Sequence, residues 1–327
     1  MPNHTVIKMR GSGPSSRERQ PLPWFVEQLR ARFYLGELTT GGRLPPIREL
    51  ARQIQASPTT VQQLYKQLEG EGLVEARERS GTFLKRLGIE ADRGPREMIL
   101  FKLLRATAGK LRLLSVSPPD FCRWLLRASG SEARDDLKFG FVAVRETYEM
   151  VVPQLHRALG PHIPIVHLSP HVASRGGTRS VLARDRTIGC LLTTYLSSRA
   201  ALDLAREFGL RVILVQLHQV TARVVLKSPA TGFRWIITRD RECAEGFRKL
   251  IAEVVPAPAR IGAVALSEAR RLNDPKPEPA EAYATPAALA PVRALWEGRF
   301  PVLPLPTELS QQTIDDVLFH YLFSNGR

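Results

Sequence analysis

After Phe139 the chain settles into an alternation that leaves little freedom of fold. The runs "FGFVAV", "IPIVHL", "TIGCLLTTY", "LRVILVQL", "FRWIITR" and "RIGAVAL" are almost wholly apolar, and amphipathic stretches separate them. A strand that is apolar on both faces must be covered on both, which is the condition of a parallel sheet with helices packed against it. The amphipathic stretches supply those helices, most clearly at Tyr148 to Leu159, Ser198 to Phe208 and Cys243 to Val254. The order continues through "AEAYAT", a helix ending at Trp296, "FPVLPLP" and a closing helix "SQQTIDDVLFHYLF". It predicts two similar α/β lobes, one near residues 139–218 completed by the C-terminus and one near residues 221–304.

At 327 residues the chain is long enough for two or three compact domains, each with its own core. No stretch approaches the roughly 20 apolar residues of a membrane span, so no membrane partner is expected. The opening "MPNHTVIKMRGSGPSSRERQP" has no apolar centre of the kind a secretory leader needs; residues 1–20 read as a loose polar arm and the location as cytoplasmic. Cys122, Cys190 and Cys243 stand far apart in apolar surroundings, neither a disulfide framework nor a metal spacing, and read as buried thiols. A net charge of +15 points to polyanions, of which nucleic acid is the commonest in a cell.

Where nucleic acid would bind is written in residues 21–86. Leu22, Phe25, Val26, Leu29 and Phe33 give a first helix one buried face, ended by Gly36 and "TTGGRLPP". Ile47, Leu50, Ala51 and Ile54 repeat the spacing in a second, which stops at "QAS". The third is the most strongly specified: Ser57 can cap it, and Pro58 occupies the first helical position, where its missing N–H costs nothing. Its buried stripe is Val61, Leu64, Tyr65 and Leu68, and its other face offers Thr59, Gln62, Gln63 and Lys66, the polar side that a major groove requires of a recognition helix. Two β-prone runs joined by "ERSG" follow as a wing, with Gly81 free to take positive φ and with Arg77, Arg79, Lys85 and Arg86 placed for phosphates or a minor groove.

A helix, "LPPIRELA", a turn, "SPTTVQQLYKQLEGEGLV" and a hairpin ending "SGTF" together resemble the winged helix-turn-helix domain of the GntR family of bacterial transcription regulators, nearest its YtrA-like and MocR-like branches. The resemblance covers residues 21–86 and implies that Arg48, Thr59, Thr60 and Gly81 touch DNA. Arg43, Ser57, Gln62, Gln63, Lys66, Arg77, Arg79 and Thr82 complete the candidate DNA-binding set. Family members often carry Arg just after the turn Ser and again after the "T-T-V" triplet, where this chain has Pro58 and Gln62. The competing reading of Arg48 is a surface pair with Glu49 or Glu27.

Residues 87–138 pass "GIEADRGP", a basic apolar run "EMILFKLLRATAGKLRLL" and "SPPDFCRWLLRASG", whose Phe121, Trp124 and Leu125 share a face; they read as a helical linker packing between domains or against a second subunit. Residues 139–327 then read as one two-lobed α/β domain, whose layout resembles the periplasmic-binding-protein-like effector domains fused to some bacterial regulators and so implies an effector-binding role.

Ligands of parallel α/β sheets sit at the carboxyl ends of strands, near helix N-termini. Those positions hold Arg145, Glu146 and Thr147; Thr193, Thr194, Tyr195 and Ser197; Thr238, Arg239 and Asp240; Ser267; and Thr285. Arg145 and Arg239 favour an anionic small effector. Each polar residue has a plainer alternative as a helix cap.

No phosphate-binding glycine loop, nucleophile elbow or clustered metal ligands occur in the sequence, and His156, His162, His167 and His171 are too loosely spaced for a metal pair. Length speaks against a fused MocR-type aminotransferase. The reading is thus a ligand-responsive, sequence-specific regulator without cofactor, binding double-stranded operator DNA as a homodimer. The alternatives are an α/β enzyme with an appended DNA-binding domain and a ligand-independent architectural DNA-binding protein.

Overall fold

The computed structural model describes residues 21–85, 95–116, 121, 137–161, 163–171, 177–226, 232–255, 259–269, 279–296 and 301–323. The N-terminal arm, Arg86, "GIEADRG", Cys122, His162 and the helix expected over "SPPDFCRWLLRASG", apart from Phe121, lie outside the described residues. By its contacts the chain forms two compact units, one of residues 1–87 with 217–307 and the other of residues 88–216 with 308–327.

The first unit begins with helices α1 (Pro21–Tyr34), α2 (Ile47–Ile54) and α3 (Pro58–Gly70) and the hairpin β1 (Val74–Arg77) and β2 (Gly81–Leu84). These strands pair antiparallel, Val74 opposite Leu84 and Arg77 opposite Gly81. Phe25, Leu29, Leu50, Leu64 and Leu68 are buried among the helices, and the rings of Phe25 and Tyr65 lie 6.3 Å apart. This is a winged helix, as the spacing of apolar residues predicts.

The second unit contains α4 (Pro95–Leu113), β3 (Lys138–Val142), α5 (Arg145–Leu159), β4 (Ile165–Leu168), α6 (Thr178–Arg184), β5 (Ile188–Thr193), α7 (Ser198–Phe208) and β6 (Arg211–Leu214). Returning to the first unit, the chain forms α8 (Gln219–Leu226), β7 (Phe233–Thr238), α9 (Arg241–Val254), β8 (Ile261–Ala265), α10 (Leu266–Ala269), β9 (Pro279–Ala284), α11 (Pro286–Leu295) and β10 (Val302–Pro304). Helix α12 (Gln311–Phe323) closes the second unit. The sequence pattern marks no helix at α6, α8 or α10, each too short to show more than one or two repeats of the helical period.

Each unit holds one wholly parallel sheet, ordered β4-β3-β5-β6 in the second unit and β10-β9-β7-β8 in the first. The orders are equivalent: the first strand of each sheet is central, the second lies on one side of it, and the third and fourth lie on the other. In both, strand order reverses at the seam between the first and third strands, β3 and β5 or β7 and β9. On one face of the first sheet, α7 buries Ala201, Leu204 and Ala205 against Val142, Leu191 and Val212. On the second, α11 buries Ala288 and Val292 against Ile237, Val264 and Ala284.

Helix α1 departs from expectation. Its apolar spacing predicts one buried face, yet Gln28, Ala31, Arg32, Tyr34 and the adjoining Leu35 are buried as well as Phe25, Val26, Leu29 and Phe33. The second face is covered by α9, which packs against α1 within the same unit.

Candidate nucleic-acid interface

Helix α3 starts where sequence places it. Ser57 Oγ accepts the Thr60 N–H at 3.0 Å, satisfying one of the free donors of the first turn, and lies 2.8 Å from Thr60 Oγ1. Ser57 and Thr60, expected to face DNA, are therefore engaged with each other in fixing the helix start. Val61, Leu64, Tyr65 and Leu68 are buried, and the Tyr65 hydroxyl donates to the Pro45 carbonyl at 2.6 Å, tying α3 to the segment before α2. Burial holds the Tyr65 phenol well above its usual range, so it stays a neutral donor. The opposite face presents Thr59, Gln62, Gln63 and Lys66, all exposed, and no hydrogen bond or ion pair within the described residues engages them.

Arg48, the second residue of α2, is exposed and equally unengaged. Its rival reading fails on the partners: Glu49 is taken by Arg52 and Gln53, and Glu27 by Arg30 at 2.6 Å. Helix α2 ends at Gln55, whose left-handed backbone (φ 54°) sends its N–H back to the Ala51 carbonyl and turns the chain into α3.

The wing has a third, extended segment that the sequence does not announce. Gly41 N donates to the Leu84 carbonyl at 2.7 Å, Leu84 N to Gly42 at 2.8 Å and Leu44 N to Thr82 at 2.8 Å, which places Arg43 opposite Phe83. Directly opposed residues of antiparallel strands share a face, so Arg43, Phe83, Gly81, Glu75 and Arg77 stand on one side of the wing. Leu44, Val74 and Leu84 are buried on the other.

Gly81 has φ 107°, which side chains rarely tolerate, and a Cβ there would come within 2.9 Å of Arg43 Nε. The glycine thus leaves room for a guanidinium laid along the wing. Arg77 stacks over the Phe83 ring at 4.6 Å and pairs loosely with Glu75 at 3.3 Å, both being about half exposed. Arg79 sits at the tip of the turn with φ 57° and is exposed; Thr82 is half-buried, and exposed Lys85 closes the strand.

The strand-end residues fall into two groups, one in each unit. At the seam of β3 and β5, Thr193 Oγ1 donates to the Val142 carbonyl at 2.9 Å, while Glu146, Thr147, Thr194, Tyr195 and Ser197 are buried. Thr194 Oγ1 has no hydrogen-bond partner among the described residues. Exposed Arg145 pairs with Glu149 at 2.7 Å and lies over the Tyr148 ring. At the seam of β7 and β9, Thr238 Oγ1 donates to the Asp240 carbonyl at 2.8 Å, Arg239 Nε meets Asp240 Oδ1 at 3.0 Å, and Thr285 N donates to the Ile237 carbonyl at 2.9 Å. Thr238 and Thr285 are buried, and Ser267 is exposed in α10. Both arginines expected to await an anion are thus already paired with carboxylates. In the sequence, only the i, i+4 spacing of Glu149 hints at the Arg145 pair.

His156 Nε2 contacts the Ile163 carbonyl at 3.1 Å and His167 Nε2 the Ala143 carbonyl at 2.8 Å, the first tying α5 to the loop before β4 and the second tying β4 to the segment after β3. Cys190 and Cys243 are buried thiols. Among the described residues no three or more His, Cys, Asp or Glu side chains are grouped to hold a metal, and no helix is long and apolar enough to cross a membrane.

Residues 25–84 match the family "Bacterial regulatory proteins, gntR family". The chain is 33% identical over 90 residues to the HTH-type transcriptional regulator Rv1152 of Mycobacterium tuberculosis, covering 28% of this chain and 69% of that protein. It is 39% identical over 59 residues to the HTH-type transcriptional repressor YtrA of Bacillus subtilis, covering 18% of this chain and less than half, 45%, of the repressor. Among solved structures, YtrA from Sulfolobus acidocaldarius, a GntR-family transcription factor, aligns at 25% identity over 30% of this chain and 83% of that one, with a TM-score of 0.22.

Proposed function

The chain belongs to the gntR family of bacterial regulatory proteins, and from that premise we propose that it is a transcription regulator that reads an operator sequence in double-stranded DNA as a homodimer and answers to a small effector. The observation that carries the reading is the outer face of α3. Thr59, Gln62, Gln63 and Lys66 are exposed with no partner among the described residues, so on a helix laid in a major groove their donors and acceptors are available to base edges and phosphates. Arg48 and the wing cations Arg43, Arg77 and Arg79 supply the phosphate-neutralising charge that positions such a helix.

In this reading residues 21–86 are the DNA-binding head, residues 87–138 a linker and residues 139–327 the effector domain. The two sheets support an effector role because each offers a reversal of strand order, where ligands of open α/β sheets bind. An anionic effector would compete with Glu149 for Arg145 and with Asp240 for Arg239, so occupancy would rearrange those pairs.

Selection of bound duplexes from a random pool by the purified chain tests the DNA-reading half. Enrichment of an inverted repeat is the expected result. Recovery of duplexes with no shared motif would refute sequence-specific reading, and a single unrepeated motif would refute the homodimer.

A further inference from the structure

We infer that α1 fastens the DNA-reading head to the lobe of residues 217–307, so that binding of DNA to the head stabilises that lobe, and the state of the lobe in turn sets the head's affinity for DNA. The inference rests on the DNA-binding reading and adds the route by which the head and that lobe communicate.

A winged head at the end of a loose tether would keep the outer face of α1 polar and wet. Here the outer face is closed. Gln28 is 3% exposed, and its amide donates to Glu253 Oε2 at 2.8 Å and to the Glu253 carbonyl, at the end of α9. Tyr34 is fully buried close to Cys243 of α9, and its carbonyl accepts the Leu217 N–H at 2.8 Å.

The turn after α1 is fitted to the same surface. Gly36 has φ 76°, and a Cβ on it would lie 2.6 Å from the Leu217 carbonyl oxygen and 3.0 Å from Gln219 N. Buried Arg32 braces that turn through Glu37 at 2.6 Å. A backbone hydrogen bond, a buried amide on a carboxylate and a backbone approach so close that it admits only glycine all fix one relative placement of head and lobe.

Coupling follows from this closure. Pulling α1 away from α9 gives up the Gln28–Glu253 and Leu217–Tyr34 hydrogen bonds and exposes buried Tyr34 to water, a cost that opposes opening the head without disturbing α9. A ligand that binds only the folded head must then slow every opening that includes α9. Reciprocity makes the lobe's condition felt at the DNA by the same factor.

Hydrogen exchange on the full chain tests this, with a duplex enriched by the chain itself as the probe. At free duplex about ten times its dissociation constant, the slowest amides of 241–254 should exchange about tenfold more slowly, together with those of 58–70. In Gln28→Ala the slowing should persist in 58–70 and largely vanish from 241–254. Gly36→Ala should behave likewise if it folds; Gln28→Ala carries the test if it does not. Slowing confined to 58–70 in the unaltered chain, or unchanged slowing of 241–254 in Gln28→Ala, overturns the coupling. No slowing in 58–70 would sink the DNA-binding reading and this inference with it.

Discussion

If α3 lies in the major groove as proposed, the side-chain amide of Gln62 would set which base the helix reads. An amide pairs bidentately with adenine N6 and N7, whereas arginine prefers guanine O6 and N7. Gln62→Arg should therefore move the selected operator towards guanine at one position per half-site; an unchanged motif would remove Gln62 from the readers. Arg43 poses a different case, because it lies along the wing against Gly81 and faces the same side as Arg77. As a phosphate contact, Arg43→Ala should weaken binding evenly across sequences and lower the log–log salt slope by about 0.9. Gly81→Ala should do the same by displacing Arg43, with added backbone strain at φ 107°. Salt titrations of both variants against the same duplex check the pair.

Two elements show how local stability is fixed. Helix α3 depends on its Ser57 cap, and Ser57→Ala should cost about 1 kcal/mol in a denaturant titration, with weaker DNA binding as the first turn frays. In the other unit, the carboxylate of Asp185, between α6 and β5, accepts from the Thr187 hydroxyl and, at 2.9 Å, from Lys138 Nζ. The Thr187 hydroxyl, then Lys138, hold its carboxyl below the ordinary carboxylate range against the opposing effect of burial. A folded value below the unfolded one means stabilisation that is present above pH about 4 and is lost as pH falls through the folded value. Asp185→Asn should therefore lower stability at neutral pH and flatten its acid decline, as melts between pH 3 and 7 would record.

For the whole molecule, what matters is that the winged head shares its packing with a distant part of the chain. The second face of α1 is covered by residues that come after position 216, so a chain ended near residue 87 would expose Gln28 and Tyr34 to water. Such a piece should melt below the full chain and bind duplex DNA less tightly; equal melting temperatures would show that α9 adds nothing to the head. If the effector is anionic, Arg145→Ala and Arg239→Ala should reduce its effect on operator affinity while leaving ligand-free binding nearly intact, because neither residue lies in the head. Operator titrations with and without the effector measure this, and a full response in both variants would remove these arginines from the effector site.

The helical period, the apolar strand runs, the Ser57–Pro58 helix start and the turn at Gly81 were all readable in the sequence. Each is decided by neighbours a few positions away: a hydroxyl three residues from an N–H, a side chain one helical turn from the next, a glycine where φ must be positive. So the winged helix, the parallel α/β region and the exposed polar face of α3 follow from the sequence alone. The tertiary structure decided what depends on distant partners. Nothing near Gln28 announces that its amide will meet Glu253, 225 positions on, nor near Gly81 that the space it leaves will hold Arg43. A polar side chain in a helix carries the same local signal whether water or another helix covers it, and only the packing of the chain determines which.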